Sequence, residues 1–349
     1  MKYKTSGIQG IFDRQETQHK LSSIGNPLEK VSSVIDFEIF RPLLELKLLN
    51  TNKKSNAGAK PYDVVLMFKI LILQRYYGLG DSQIEYQILD RQSFKQFLGL
   101  ESGDKVPDEK TVWAFREKLT RLGLVEDLFE QFNLYLENQS LIMNQGKMVD
   151  ASFTVAPRQR NTREENQQIK DGRGDELWND KPNKKKHKDI DARWTKKNKE
   201  TFYGYKNHAK VDTKSKIIDT YKVTDASVHD SQPLDDLLTV NDYGQDFYAD
   251  SAYTGEEQEK VIEKHGLKNL VNEKGYRNKP LTEEQKQNNK VKSKTRARVE
   301  HVFGFMEQSM HRLSLRSIGI TRATGIIGLI NLTYNLFRYE QIVRLGEFV

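Results

Sequence analysis

Two aspartates stand where a carboxylate is costly. Asp150 closes the run Met148, Val149, and Asp250 closes the run Phe247, Tyr248, Ala249, so both leave apolar segments that read as interior strands. A charge placed there is unfavourable unless a cation compensates it. If the two strands are neighbours, their backbones lie about 4.8 Å apart, near enough for both side chains to share a metal ion. Magnesium prefers hard oxygen ligands of this kind. Glu300, in TRARVEHVFGFME, supplies a third acid from a helical pattern in which Val299 and Phe303 face the core and Glu300 sits at the rim. Two divalent ions held roughly 3.5 to 4 Å apart activate an attacking hydroxyl and stabilise the leaving oxygen of an in-line phosphoryl transfer. Taken singly, each aspartate reads more simply as a cap or a salt-bridge partner, and 49 acidic residues leave room for coincidence.

The rest of the inventory narrows the chemistry. With no cysteine, the chain has no disulfide, thiolate zinc site or thiol nucleophile. His208, His229 and His301 lack the compact spacing of a zinc site and read as hydrogen-bonded histidines. Asp225 and Asp230 flank Val228 and His229 and compete with Asp250 as ligands, although capping a helix that starts near Asp230 accounts for them better. Trp113, Trp178 and Trp194 offer stacking surfaces for unpaired bases, with helix packing the simpler reading for Trp113.

Positioning these residues takes an α+β chain of two parts. At 349 residues the expectation is two domains, one carrying an insertion. Residues 1–145 read as all-α: helical periodicity runs from Phe37 to Leu141, Pro61 suits a first helical position, Asp81 or Ser82 starts a further helix, and Asp108 caps EKTVWAFREKL. Basic Lys110, Arg116, Lys118 and Arg121 on the last helix suggest a helix-turn-helix DNA reader, or a plain bundle with a charged face. Residues 146–349 carry the strands: KMVDASFTV, a hairpin in TFYGYKNHAKVD and KIIDTYKVTDAS, then DFYADSAYTG and LKNLV, with helices expected at 230–238 and 256–264. Between the first strand and the hairpin lies a polar insertion, 158–200, containing Lys184, Lys185, Lys186 and Lys188. It reads as a solvated loop or as an arm tracking phosphates.

A formal net charge of +7 attracts polyanions such as DNA. The opening residues lack the apolar core of a leader, and no stretch approaches the ~20 apolar residues of a membrane span, so the expected address is the cytoplasm.

In order along the chain, MVDAS, FYGYKNH, VTDASVHD, YADSAYTG and RARVEHVFGFME resemble the DDE transposases of bacterial insertion sequences, especially the insertion-sequence-five group. VPDEKTVWAFREKL resembles that group's helical leader, and the likeness spans roughly Phe37 to Arg338. It implies a ribonuclease H-like mixed-sheet catalytic domain. Asp150 falls on the first strand, Asp250 on the fourth and Glu300 on the late helix, as ligands of two Mg²⁺ or Mn²⁺ ions. In related enzymes the glutamate lies in a tyrosine, arginine, glutamate, lysine signature. Arg296 and Glu300 fit its middle places, whereas Ser293 and Glu307 replace the outer two. Arg296 is then a phosphate clamp or a simple i,i+4 partner of Glu300.

The implied activity is transposition: binding the inverted-repeat ends of an element, cleaving there, and joining 3′ ends to target DNA. The expected partners are double-stranded DNA and a second copy of the chain, in a bacterial cytoplasm and on the nucleoid when bound. A metal nuclease of the same fold that does not join ends, a silent DNA-binding repressor and a two-carboxylate glycosidase are the rival readings.

Overall fold

The computed structural model describes residues 10, 12–49, 58, 60–101, 103–142, 144–197, 199–310 and 314–346; most of the opening run read for a leader lies outside them. Helices fill the chain from Asp13–Ile24 to Leu124–Asn138. Val64–Tyr76 is apolar on all sides and becomes a core helix. It begins at Asp63, whose Oδ1 accepts the N–H groups of Val65 and Leu66 at 2.9 Å, so Pro61 precedes the helix instead of opening it. Gly80 precedes Asp81–Asp90, its N–H donated to Gln83 Oε1 at 2.9 Å. Asp108 caps Glu109–Arg121 as expected, accepting from Thr111 N–H at 2.7 Å.

One mixed sheet follows. Its strands are β1 (Lys147–Val155), β2 (Arg193–Lys197), β3 (Glu200–Asp212), β4 (Ile218–Asp225), β5 (Asp246–Tyr248) and β6 (Lys268–Asn269). β3 runs antiparallel to β1 from Lys147 opposite Asp212 to Val155 opposite Gly204, and its other edge is shared by β2 and β4. β5 lies parallel to β1 on the far side, and β6 parallel to β5. The chain is thus α+β with a helical N-terminal region, as expected. Three local readings differ. The helix expected at 230–238 shrinks to Leu234–Leu237, the strand expected through Asp250 stops at Tyr248, and the insertion contributes β2.

Gly204 is the crowded point of this sheet. Its φ is +147°, and a Cβ there would stand 2.3 Å from the Thr154 carbonyl oxygen and 2.7 Å from the Ala156 nitrogen.

The insertion is folded, not a solvated arm. Trp178 is buried and donates Nε1–H to Glu165 at 2.6 Å. Buried Asp189 accepts the Tyr205 hydroxyl at 2.8 Å and the Gly319 N–H at 3.1 Å, tying the insertion to β3 and to the start of the C-terminal helix. A few buried anchors among polar residues escape a composition-based reading.

That last helix, Ile320–Leu345, is buried along most of its length. It packs on Leu124–Asn138, Val64–Tyr76, Glu109–Arg121 and Pro27–Val34, and also on β4 and β3, within one apolar cluster running from Leu28 to Ile342. Buried amides fix its register, since an unpaired one there is costly. Asn331 and Asn207 exchange side-chain hydrogen bonds of 3.1 and 2.7 Å, and Asn335 both accepts from Ile218 N–H at 2.9 Å and donates to its carbonyl at 2.8 Å. A second cluster, including Val149, Phe247, Tyr253 and Ile262, covers the other face beside β1 and β5. No helix of the described residues is long and apolar enough to cross a membrane.

Candidate active site

The parallel register does the first part of the work. Lys147 lies opposite Phe247 and Met148 opposite Tyr248, so two residues further on the chain carries Asp150 and Asp250 out side by side. Asp150 stays in β1, opposite Ala209 of β3. Asp250 leaves its strand and caps the short turn Ser251–Tyr253, its Oδ1 accepting Ala252 N–H at 2.8 Å. Burial pushes the Asp150 carboxyl up to about 6 and Asp250 adds to the rise, against the Ala151 amide, Arg296 and Lys197. A desolvated carboxylate beside a second one supplies the oxygen donors and the excess negative charge that a divalent cation would balance.

Glu300 reaches the same region from the first turn of Arg298–Gln308, a helix packed on β1 through an inner face that includes Val299 and Val302. Arg296 links the pieces. Its Nη2 donates to Glu300 Oε1 at 2.8 Å, its Nη1 lies 3.7 Å from Asp150 Oδ2, and its Nε is buried without a hydrogen-bond partner. The i,i+4 pair is therefore present, and its arginine also approaches Asp150. Glu300 remains more than half exposed, so this ion pair is weak. Among the described residues no three Asp, Glu or His side chains stand close enough together to hold an ion. The aspartates fit a divalent ion as they stand, whereas Glu300 is engaged by arginine.

Several neighbours were not legible as site residues. The Tyr253 hydroxyl is buried without a hydrogen-bond partner, and burial, then Asp150, Asp230 and Asp250, hold it well above its ordinary pKa. Asp230 caps no helix; it pairs with Lys206 at 2.7 Å, with Lys197 at 4.0 Å. Both lysines lie over the Phe153 ring, which stacks on Phe202 at 4.3 Å. Of these, Lys197, Phe153 and Phe202 line a groove of about 610 Å³ that continues along β1 from Ala151 to Val155 and includes Glu307. Lys206 lies in FYGYKNH, where only the resemblance marked it. The histidines have local partners: His208 with Thr224 at 2.8 Å, His229 with Ser231 at 2.9 Å and His301 with Lys216 at 3.1 Å. Ser293, in the place of the signature tyrosine, accepts from Asn272 at 3.0 Å.

Residues 145–336, which hold all three acids and the insertion, match the family described as a transposase DDE domain. The chain belongs to the DDE transposase family, whose members catalyse DNA cleavage and strand transfer and use divalent metal ions. Residues 15–118 match a second family, described as a transposase domain. The transposase is also similar to piggyBac transposase in a cryo-electron-microscopy synaptic complex with hairpin DNA, at 12% identity and a TM-score of 0.43, over 95% of this chain and 78% of that one.

The cations expected to meet DNA divide into two groups. On the transposase surface, Lys110 and Lys186 are exposed. Lys184, Lys185 and Lys188 are engaged within the insertion, with Glu165 at 2.7 Å, Asn179 at 2.8 Å and Asn161 at 2.6 Å. Arg116 corrects the expectation: its side chain is 8% exposed and forks onto Asp81 at 2.5 and 2.7 Å, because position 116 falls on the inner face of its helix. Arg116→Ala is expected to lower stability by about 2–3 kcal/mol, since it strands a partly buried carboxylate. A larger change in the salt dependence of DNA binding than in the denaturant midpoint would return Arg116 to the DNA surface.

Asp150 gives the transposase a pH signature. An acid whose folded pKa exceeds its unfolded one stabilises the fold fully only when protonated, below about 4, and that contribution is lost as pH rises through about 6. Asp150→Asn should therefore stabilise the metal-free protein by about 2 kcal/mol at pH 8, with the gap closing toward pH 4. Thermal unfolding measures this; equal melting points at pH 8 would mean that the carboxyl is well solvated.

Proposed function

We propose that this transposase cleaves the phosphodiester at each inverted-repeat end of its element and joins the freed 3′ hydroxyl to target DNA at a site formed by Asp150, Asp250 and Glu300. The observation that carries the reading is the pair Asp150 and Asp250, each two residues beyond the parallel register of β1 and β5, with Asp150 partly buried and held protonated more readily than an ordinary carboxylate. Two Mg²⁺ or Mn²⁺ ions, when bound, supply the activated hydroxyl and the stabilised leaving oxygen. Asp150 and Asp250 provide the fixed ligands, and Glu300 the third once Arg296 exchanges it for a phosphate, which a guanidinium fork accepts equally well. Lys197, on the wall of the groove, offsets negative charge brought in along it, and Lys206 holds Asp230 behind it.

In the same reading residues 1–145 recognise the ends, residues 146–349 cut them, and Lys110 with the insertion lysines contacts phosphates. Two chains pair the two ends on the nucleoid. A duplex carrying one element end, labelled at its 3′ terminus and incubated with Mn²⁺, is expected to yield a product in which the label is joined to a second DNA, in complexes of two chains and two ends. Cleavage without transfer would leave a nuclease of the same fold, and cleavage undiminished by chelator would overturn the proposal.

A further inference from the structure

A cavity of about 490 Å³ opens between the start of Asp81–Asp90, the helix Glu109–Arg121 and the segment 314–322, and it shares no lining residue with the acids at Asp150, Asp250 and Glu300. Four arginines line it, against two carboxylates, Asp81 and Glu117. Two of the arginines are matched: Arg116 forks onto Asp81, and Arg322 Nε lies 2.7 Å from Glu117. Arg75 and Arg316 are not. No described carboxylate lies within ion-pair distance of either, and Arg75 Nε is buried without a hydrogen-bond partner. Burial, then Arg116, pushes Arg75 down to about 10, with Arg316 adding to the effect against the pull of Asp81. Arg316 Nη1 would meet a Cβ on Gly80 at 2.7 Å, so its guanidinium lies against the backbone where Asp81–Asp90 begins.

Two uncompensated guanidiniums in one partly desolvated cavity repel each other, and the fold gains from whatever neutralises them. A tetrahedral oxyanion matches them best: its oxygens accept from planar guanidinium forks, and the positive end of the adjoining helix favours it further. We propose that this cavity is an anion site that takes a phosphate group on Arg75 and Arg316. The phosphate is either a phosphodiester of bound DNA or a free phosphate or nucleotide, and the two sources separate by experiment.

Thermal unfolding of the full chain is followed with inorganic phosphate against sodium chloride of equal ionic strength, and DNA binding by fluorescence anisotropy over a salt series. Phosphate should raise the melting point of the wild type to a plateau and leave Arg75→Met and Arg316→Gln unmoved. Without phosphate, Arg75→Met should be no less stable than wild type, because it relieves repulsion; a purely structural arginine would lose stability. A log-log salt slope for DNA reduced in magnitude by about 0.9 in Arg316→Gln assigns the site to a DNA phosphodiester. An unchanged slope with a lost phosphate response assigns it to free phosphate. Wild type and variants that respond alike to phosphate, with equal slopes, overturn the proposal. Arg316, on a connecting segment, keeps the test available if Arg75→Met does not fold.

Discussion

Asp150→Ala, Asp250→Ala and Glu300→Ala are each expected to slow end cleavage by on the order of 10³-fold or more, while end binding stays within about twofold. The size follows from what each carboxylate would do. Where charge develops on a phosphoryl oxygen in a desolvated site, the fixed groups that hold the compensating cations carry most of the barrier reduction. Binding should survive because none of the three acids attracts a polyanion. The three variants also differ from one another in a checkable way. Asp150 and Asp250 are fixed by strand register and a turn cap, so their loss should abolish metal-dependent stabilisation as well as cutting. Glu300 is half exposed and pairs with Arg296, so Glu300→Ala should leave part of that stabilisation intact. Single-turnover cleavage of an end-labelled duplex, beside thermal shifts with Mn²⁺, reads both. Cutting retained at wild-type rate in any one variant would remove that residue from the site.

Gly204→Ala is expected to destabilise the protein by more than about 3 kcal/mol, the largest effect of any single added methyl group in the sheet. Two costs combine. The backbone at +147° lies in a region that L side chains rarely adopt, and the new Cβ would overlap the Thr154 carbonyl and the Ala156 nitrogen. Both obstacles are backbone, so no side-chain rotation relieves them. Because the overlap falls on β1, the strand that carries Asp150, any chain that does fold should also cleave slowly. Denaturant unfolding is the first check, and a midpoint within about 0.5 kcal/mol of wild type would show that β1 and β3 separate more easily than their register suggests.

How much of this was legible depended on whether the signal was local. The helix at 256–264 was readable to the residue, and the Asp108 cap with it, because periodicity and capping act over a few positions. Both aspartates were readable as following apolar strand residues, although β1 runs on through Asp150 to Val155 and Asp250 lies past its strand as the cap of a turn: a three-residue strand leaves almost no alternation to read. Arg116 was misplaced because a basic residue on an amphipathic helix looks solvated until a partner 35 positions away, Asp81, turns up beside it. The insertion misled for the same reason. Asp189, Tyr205 and Gly319 are far apart in sequence, and composition cannot signal that they meet. Arg296 reached Glu300 by simple helix spacing, whereas its approach to Asp150 depends on how Arg298–Gln308 docks on β1.

The helix Ile320–Leu345 has a consequence for how such an enzyme changes over generations. Its sides serve the N-terminal helices and the sheet at once, so neither half can be exchanged for that of a relative as an independent cassette. A hybrid that joined foreign helices to this sheet would place mismatched apolar surfaces around its most buried segment and leave partners such as Asn133, which binds the Ile218 and Asp219 carbonyls, without their counterparts. New end specificity would therefore arise by single substitutions on the outer helix faces, and recognition and cutting would be inherited as one unit.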